Sequence, residues 1–364
     1  MIKKVSFFAK EFGIGGVERQ LYYLVNGLSK SKYDISLVLC KKEGILLHKI
    51  SEAVNIKDLG IRYSHIKKGI IGLKLGLLLL KNRPDIFISF HFHLNILSIL
   101  ICKILSIKVW ICFPGYVPKG TLSLMRKCFY EKADKLISVS KGARDSLFNN
   151  IGMGDGGNNI VIDNCVDLKE IEEQSREMDD SLSEKRFIIV SAGRLSREKN
   201  FEVLIRAASL IPDDCLIAII GDGENRENLE RLTEQLGVVD RVKFFGYQIN
   251  PYKFMKRARV YVLCASDSEG LPTVLLENMA LGIPCVSPDY WGRTDDVIKH
   301  NVTGYIFPWN DYKRLASAIN FVHDPNNSFQ VKMIVENAQR NEVRYNIRRY
   351  VADYEKIIDE TDTP

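Results

Sequence analysis

Short apolar runs alternate with amphipathic stretches along the whole chain. In the first half, residues 4–9, 35–40, 86–90, 109–113, 136–139 and 160–162 read as strands. In the second half, residues 187–192, 216–220, 242–245, 260–264 and 284–287 repeat the rhythm. Helical patterns lie between them. The stretch 17–28, for example, puts Val17, Leu21, Leu24, Val25 and Leu28 on one face. Strand–helix alternation predicts α/β architecture with parallel, doubly wound sheets. Its repetition predicts two Rossmann-like domains, an N-terminal one at 1–167 and a C-terminal one at 185–340. The repeat is one of architecture, with no residue-level match between the halves. The join is expected at 167–185, which is polar, acid-rich and without a strand signal. Residues 341–359 form an amphipathic helix with Val343, Ile347, Tyr350, Val351, Tyr354 and Ile358 on its apolar side. This closing segment, 341–364, can pack on either half, and the N-terminal domain is the expected one.

Composition agrees with a folded enzyme-sized protein of 364 residues, 46% hydrophobic and 26% charged. The net charge of +6 hides an asymmetry. Residues 1–165 hold 25 Lys/Arg against 12 Asp/Glu, and the remainder holds 26 against 33. A basic first half attracts anionic surfaces or ligands. An anionic membrane or a phosphorylated acceptor fits; nucleic acid does not, since no recognition motif accompanies the charge. Eight scattered cysteines form no C-x-x-C pair, so buried free thiols in a reducing cytoplasm are expected. The opening apolar run is too short for a signal peptide. Two apolar segments, 70–80 and 94–110, fall short of the ~20 residues that a membrane span requires. Each is expected to be a helix packed on a sheet. For the first, the other reading is a helix lying in the membrane interface, with Lys67, Lys68, Lys74, Lys81 and Arg83 reaching head groups.

Five places carry candidate chemistry. Residues 266–277, Ser-Asp-Ser-Glu-Gly-Leu-Pro-Thr-Val-Leu-Leu-Glu, set Glu269 and Glu277 eight residues apart around a turn that opens an apolar helix. Gly270 lets backbone approach a ligand, Pro272 suits a first helical turn, and helix-start amides after Leu271 and at Thr273 attract anions. Carboxylates on either side of such an anion site can grip hydroxyl groups, which suits a nucleotide-sugar. Upstream, Gly193-Arg-Leu-Ser-Arg-Glu-Lys199 follows a strand, on the ligand side of such a sheet. Arg194 and Lys199 there can neutralise a diphosphate, each contact contributing roughly 1.5–3 kcal/mol. Gly221 and the Gly246–Tyr247 turn end two further strands and can border the nucleotide and its base. In the first half, Gly13-Ile-Gly-Gly16 lies at a strand-to-helix turn. It fails as a dinucleotide motif for want of a third glycine, but Gly15 and Gly16 can let substrate pass close to the backbone. His91 and His93 end the strand 86–90 with no third metal ligand or nucleophile motif in view, so His91 is a candidate to orient or deprotonate a sugar hydroxyl.

Together these residues resemble the family 4 retaining glycosyltransferases of the GT-B fold. The matching segments are Gly15-Gly-Val-Glu-Arg19, Ile160-Val-Ile-Asp-Asn-Cys-Val-Asp167, Gly193 through Lys199, Gly221-Asp-Gly-Glu224, Phe245-Gly246, Ser266 through Glu277 and Asn301 through Phe307. The resemblance implies two Rossmann-like domains facing a central cleft, acceptor in the first and donor in the second. It implies that Glu269 contacts the donor sugar, Glu277 the ribose, and Arg194 and Lys199 the diphosphate. It also implies retention at the anomeric carbon. Two departures stand out. The family often has a cleft histidine where this chain has Phe113-Pro-Gly115, and His91 is taken as the substitute. The family's glycine pair near residue 295 is altered to Trp291-Gly-Arg-Thr-Asp295.

The resulting expectation is a hexosyltransferase of bacterial surface polysaccharide, lipopolysaccharide or O-antigen assembly. It would use a UDP- or GDP-sugar as co-substrate, no cofactor and no metal, and a lipid-linked saccharide acceptor. It would be cytoplasmic and peripheral on the inner face of the plasma membrane. The alternatives are a sugar-nucleotide epimerase or phosphorylase, which needs no separate acceptor, a nicotinamide oxidoreductase, and a non-catalytic membrane-associated assembly subunit.

Overall fold

The computed structural model describes residues 2–13, 15–117, 119–120, 123–154, 156–177, 181–182, 186–265, 270–289 and 297–362. The chain divides into two units, residues 1–165 with 347–364 and residues 166–346. Unit 1 begins β1 (Lys3–Ala9), α1 (Gly16–Gly27), β2 (Tyr33–Leu39), β3 (Asn55–Asp58), α2 (Lys68–Asn82) and β4 (Ile86–Ser89). It continues α3 (Phe92–Ile104), β5 (Lys108–Phe113), α4 (Ser123–Tyr130), β6 (Lys135–Ser138), α5 (Lys141–Ser146) and β7 (Asn159–Val161). Its seven strands are parallel, in the order β3-β2-β1-β4-β5-β6-β7. Successive strand residues point to opposite faces, and here both faces are covered. Phe7 joins the core that α1 contributes to, while its neighbour Phe8 joins the core built with α2 and α3.

Unit 2 begins α6 (Leu168–Ser175), β8 (Phe187–Ala192), α7 (Glu202–Ala207), β9 (Cys215–Ile220), α8 (Arg226–Gln235) and β10 (Val242–Phe244). It continues α9 (Tyr252–Met255), β11 (Val260–Val262), α10 (Thr273–Ala280), β12 (Cys285–Asp289), β13 (Tyr305–Pro308), α11 (Tyr312–His323) and α12 (Ser328–Glu342). Its six strands are again parallel, in the order β10-β9-β8-β11-β12-β13. All eight cysteines are free, and all but Cys128 are buried. Burial pushes thiols such as Cys102, Cys112 and Cys264 up to about 12, so they are packing residues.

Several segments differ from the sequence pattern for local reasons. Strand β3, Asn-Ile-Lys-Asp, has no apolar run because it is an edge strand with half-exposed side chains. The apolar stretch 94–110 is α3 followed by β5, divided by a turn in which Ser106 adopts φ 54°. Part of the polar stretch 167–185 is helix α6 of unit 2. Its Asp167 cap accepts hydrogen bonds from the amides of Lys169 and Glu170. The amphipathic stretch 341–359 starts inside α12, passes through a tight turn at Val343–Tyr345 and becomes α13 (Ile347–Asp359).

Helix α13 belongs to unit 1 and packs beside α1, where Tyr350, Val351, Tyr354, Ile357 and Ile358 enter the β1 core. The approach is close, since a Cβ on Gly27 would lie 2.5 Å from Val351 Cγ2. Polar ties add to the packing. Lys3 Nζ donates to the Ile358 carbonyl at 2.7 Å, the Ser29 amide to Glu355 at 3.0 Å and the Tyr33 hydroxyl to Asp359 at 2.6 Å. Tyr354 stacks on Phe90 at 6.4 Å, and its hydroxyl lies 3.6 Å from Cys112 Sγ. Tyr354→Ala should therefore destabilise the protein by about 3–5 kcal/mol through the cavity it leaves. Tyr354→Phe should cost about 1 kcal/mol. Denaturant midpoints of the two variants check this, and equal midpoints would contradict the packing role.

Candidate functional site

In unit 2 the strand order changes direction between β8 and β11. Strands β9 and β10 lie to one side and β11 to β13 to the other. Connections therefore leave in opposite directions, opening a crevice outside the carboxyl ends, where ligands settle in such sheets. The loop after β8 carries Arg194 and Lys199, and the loop after β11 leads into α10. The topology thus places the two sequence-predicted halves of a phosphate site on adjacent strands.

The loops following β8, β9 and β10 are stitched together through their backbones. The Gly193 amide donates to the Ile220 carbonyl at 2.9 Å, Leu195 to Asp222 at 3.0 Å and Asn225 to Leu195 at 2.8 Å. The Gly221 amide donates to the Gly246 carbonyl at 2.8 Å. Gly221 adopts φ +136°, and a Cβ there would lie 1.9 Å from the Gly193 carbonyl oxygen. A Cβ on Gly223 would lie 2.5 Å from the Leu195 oxygen. These glycines let one loop pack on the next and so fix the turn that presents Arg194.

Arg194 is exposed and Lys199 half-buried at the end of a short helical turn, Arg197–Lys199. Between them, Glu198 is held below the usual carboxylate range, first by its own backbone amide and further by the charges of Lys199 and Arg194. Both cations thus act on one small volume. Asn200 ends this turn at φ 48° and does not cap α7, which starts at Glu202.

Glu269, with the rest of 266–269, lies outside the described residues, as does Trp291 through Asp295. Gly270 is half-buried, and Leu271 and Pro272 are buried. Pro272 stands one residue before the first turn of α10, at ψ 102°, and no side chain caps that helix. Thr273 opens it. Glu277, one turn on, is only 7% exposed, an unusual burial for a carboxylate on a short helix. It faces the β11 side: Tyr261, wholly buried, has its phenol pushed well above its ordinary value by burial and, in part, by the Glu277 charge. The Tyr261 hydroxyl in turn lies 3.3 Å from the carbonyl of Ala192, the last residue of β8. Glu277 and the Arg194 loop are therefore tied to the same corner of the sheet. Tyr247 is half exposed beside Gly246, which adopts φ +66°.

Unit 1 has the same reversal between β1 and β4. Gly15 precedes α1 and Gly16 begins it, so these two predicted donor contacts belong to unit 1 and the others to unit 2. His91 precedes α3, with Nε2 3.5 Å from Glu18 Oε1 in the first turn of α1. Burial opposes the Glu18 charge, but the His91 contact and Lys10 hold its carboxyl below the usual range. Around this pair stand Lys10, Tyr63, His65 and His93. Lys10 Nζ sits 4.3 Å over the Tyr63 ring, and His65 and His93 meet edge-on at 5.4 Å. Burial, then Lys10 and the neighbouring cations, push His93 down to about 4, so it is neutral near pH 7. Sequence reasoning missed Lys10, Glu18, Tyr63, His65 and Tyr261, whose partners are remote in the chain. A carboxylate in the turn after a glycine pair was the only local hint, at Glu18.

Among the described residues, one group of side chains has donor atoms close enough to hold a metal ion: Asp214, Cys215 and His323. It lies at the start of β9, the edge opposite the Arg194 loop, and His323 already pairs with Asp214 at 3.0 Å.

Comparison with known proteins bears on both units. The model for Glycosyl transferases group 1 matches residues 173–340, and that for Glycosyltransferase Family 4 matches residues 14–170. Two relatives from Campylobacter jejuni align over most of their length. The N-acetylgalactosamine-N,N'-diacetylbacillosaminyl-diphospho-undecaprenol 4-alpha-N-acetylgalactosaminyltransferase is 28% identical over 79% of this chain and 81% of its own. The GalNAc-alpha-(1->4)-GalNAc-alpha-(1->3)-diNAcBac-PP-undecaprenol alpha-1,4-N-acetyl-D-galactosaminyltransferase is 26% identical over 98% of each. Among solved structures, Anabaena HepE in complex with UDP-glucose superposes with a TM-score of 0.84 at 17% identity, covering 98% of this chain and 99% of that one.

The loop contact makes a local prediction. Gly221→Ala should lower the melting temperature far more than Gly237→Ala, because backbone cannot yield to a Cβ at 1.9 Å. Gly237→Ala, also at positive φ (+66°) but in open space, should cost only about 1–2 kcal/mol. Thermal melts of the two variants check this, and equal melting temperatures would contradict the loop contact.

Proposed function

The chain belongs to the family 4 glycosyltransferases of the GT-B fold, and from that premise we propose the reaction and the residues that carry it. The protein moves a hexosyl group from a UDP- or GDP-sugar to a hydroxyl of a lipid-linked saccharide, with retention, in assembling a bacterial surface glycan. Unit 2 takes the donor and unit 1 the acceptor. The observation that carries the donor assignment is the reversal at β8 and β11, which sets the Arg194–Lys199 loop beside the entry to α10. The names of the Campylobacter relatives, which specify undecaprenol-linked saccharides, support a lipid-linked acceptor.

The departing group is a nucleoside diphosphate, and its growing negative charge is the main barrier. Arg194, Lys199 and the first amides of α10 meet that charge from positions already fixed by the fold, so no reorganisation is needed during the reaction. Glu277 grips the ribose and Glu269 the transferred sugar. Gly15 and Gly16 allow close passage of substrate at the start of α1. His91, held by Glu18, orients the acceptor hydroxyl. The attacking oxygen enters on the face that the phosphate leaves, and the phosphate oxygen receives its proton. No metal takes part in this scheme, because the cationic pair fills the role of a Lewis acid.

The protein acts at the inner face of the plasma membrane, as a peripheral protein. No helix among the described residues is long and apolar enough to cross a bilayer. Unit 1 holds 28 Lys/Arg against 17 Asp/Glu. Helix α2 buries Ile71, Leu75 and Leu79 against the sheet. Its outer side leaves Ile70, Leu73, Leu77 and Leu80 between 56% and 66% exposed. Packed beside it, α3 exposes Leu100 and Ile104. Apolar side chains flanked by Lys67, Lys68 and Lys81 suit an anionic lipid interface.

Two measurements test this. Arg194→Ala and Lys199→Ala should each reduce sugar transfer about 10²–10³-fold with the fold intact, while EDTA should leave the wild type unchanged. Turnover near wild type in Lys199→Ala would remove the diphosphate assignment, and consumption of the donor with the acceptor omitted would favour an epimerase or phosphorylase. Leu73→Glu with Leu77→Glu should abolish co-sedimentation with phosphatidylglycerol vesicles, since each buried leucine contributes about 1.5–3 kcal/mol. Unchanged sedimentation would overturn the membrane role of α2.

A further inference from the structure

The carboxyl edge of β1 and β4 in unit 1 holds a group of rings and cations that the transfer scheme leaves without work. Tyr63 and His93 lie nearly parallel, with centroids 6.2 Å apart and planes 25° from one another. His65 meets Tyr63 at 5.6 Å and His93 at 5.4 Å, each edge to face. With Lys10, these residues come from three connections, after β1, after β3 and after β4, so the fold gathers them at one spot. Lys10 Nζ caps the Tyr63 ring at 4.3 Å. The Lys68 charge is felt at both Lys10 and His93.

The charges do not balance. Glu18 is engaged with His91 at 3.5 Å. Lys10 is half-buried, and burial pulls its amine below the ordinary value even with Glu18 and Glu11 near. Two ammonium groups beside a neutral imidazole and a phenol ring make a surface that is positive, partly desolvated and flat. A phosphoryl group satisfies the ammonium groups by charge-assisted contacts. The C–H face of a pyranose packs on an aromatic ring, whose quadrupole favours its slightly positive hydrogens. The His65 and His93 nitrogens supply hydrogen-bonding groups for sugar hydroxyls. A nucleobase would use the rings but has no need of paired cations beside them. A bare phosphate would use the cations and leave the rings idle.

We propose that Lys10, Tyr63, His65, Lys68 and His93 form a binding site for a saccharide that carries a phosphoryl group next to its ring, with the lysines on the phosphate and the Tyr63–His93 pair under the sugar. This rests on the proposed glycosyl transfer and names what its acceptor must contain. The phosphoryl group has two chemical sources, the diphosphate of a lipid-linked saccharide or a phosphate ester on a soluble one. Lys68 opens α2, whose outer face is apolar from Ile70 onward. A lipid-borne diphosphate would therefore reach the lysines from the side where its chain is accommodated.

The test uses the full-length chain and follows the imidazole resonances of His65 and His93 by NMR. N-acetylglucosamine 1-phosphate should shift both, saturably, and more tightly than inorganic phosphate or a methyl glycoside at equal concentration. Lys10→Met keeps the alkyl stem over Tyr63 and should weaken the sugar phosphate at least tenfold. Tyr63→Leu should weaken it similarly while leaving phosphate binding unchanged. A saccharide on a short prenyl diphosphate that binds at least tenfold tighter than the sugar 1-phosphate identifies the lipid source, and equal affinity identifies a phosphorylated soluble saccharide. Unmoved histidines, or equal binding by wild type and Lys10→Met, overturn the proposal. UDP stabilisation, read as a rise in melting temperature, is the separate arm. If UDP stabilises while the histidines stay unmoved, this site is wrong and the transfer reading stands. If neither UDP nor GDP stabilises while the histidines shift, the donor assignment is wrong and this site stands.

Discussion

Parallel strands cannot be joined by tight turns, so each connection must cross over the sheet and return. That constraint governs both units. It covers both faces with helices, which is why Phe7 and Phe8 enter different cores. It also gathers every loop that leaves a strand's carboxyl end on one edge. Where the winding changes direction, at β1 and β4 in unit 1 and at β8 and β11 in unit 2, neighbouring loops part. Lys10 and His91 follow strands at the first of these places, and Arg194 and Lys199 follow one at the second.

Within unit 2, backbone does the positioning. Gly193, Gly221 and Gly246 link three successive loops by amide–carbonyl hydrogen bonds, and at Gly221 the contact with the Gly193 carbonyl leaves no room for a side chain. A flexible arginine on such a base loses little freedom on binding, because the turn that carries it is already set. The Tyr261 hydroxyl, near enough to Glu277 of α10 to feel its charge, hydrogen-bonds the Ala192 carbonyl at the end of β8.

Unit 1 is built differently. Its edge is held by side chains, Glu18 to His91 and Lys10 to Tyr63, rather than by stacked backbone. Its net positive charge and the apolar outer face of α2 are properties of the same unit. The segment that carries Tyr63 and His65 leads directly into α2, so ring cluster and apolar face share one connection. The closing helix α13 adds core to this unit alone, with Tyr354 stacked between the β4 end and Cys112.

Much of this was legible in the order of residues. Parallel architecture followed from apolar runs alternating with helical stripes, because burial on a sheet and burial on a helix impose different periods. Arg194, Lys199 and Glu277 could be singled out because each stands at a fixed offset from a strand end or a glycine turn. Edge strand β3 was invisible, since an edge needs pairing but not a continuous apolar run. Pro272 was read one step out of place because turn geometry at ψ 102° depends on contacts beyond the local sequence. The reason that Gly221 must be glycine, the Tyr261 link and the grouping of Lys10, Tyr63, His65 and His93 were decided only by tertiary structure. Periodicity reports which face a residue presents, and strand order alone determines which remote residues then share an edge.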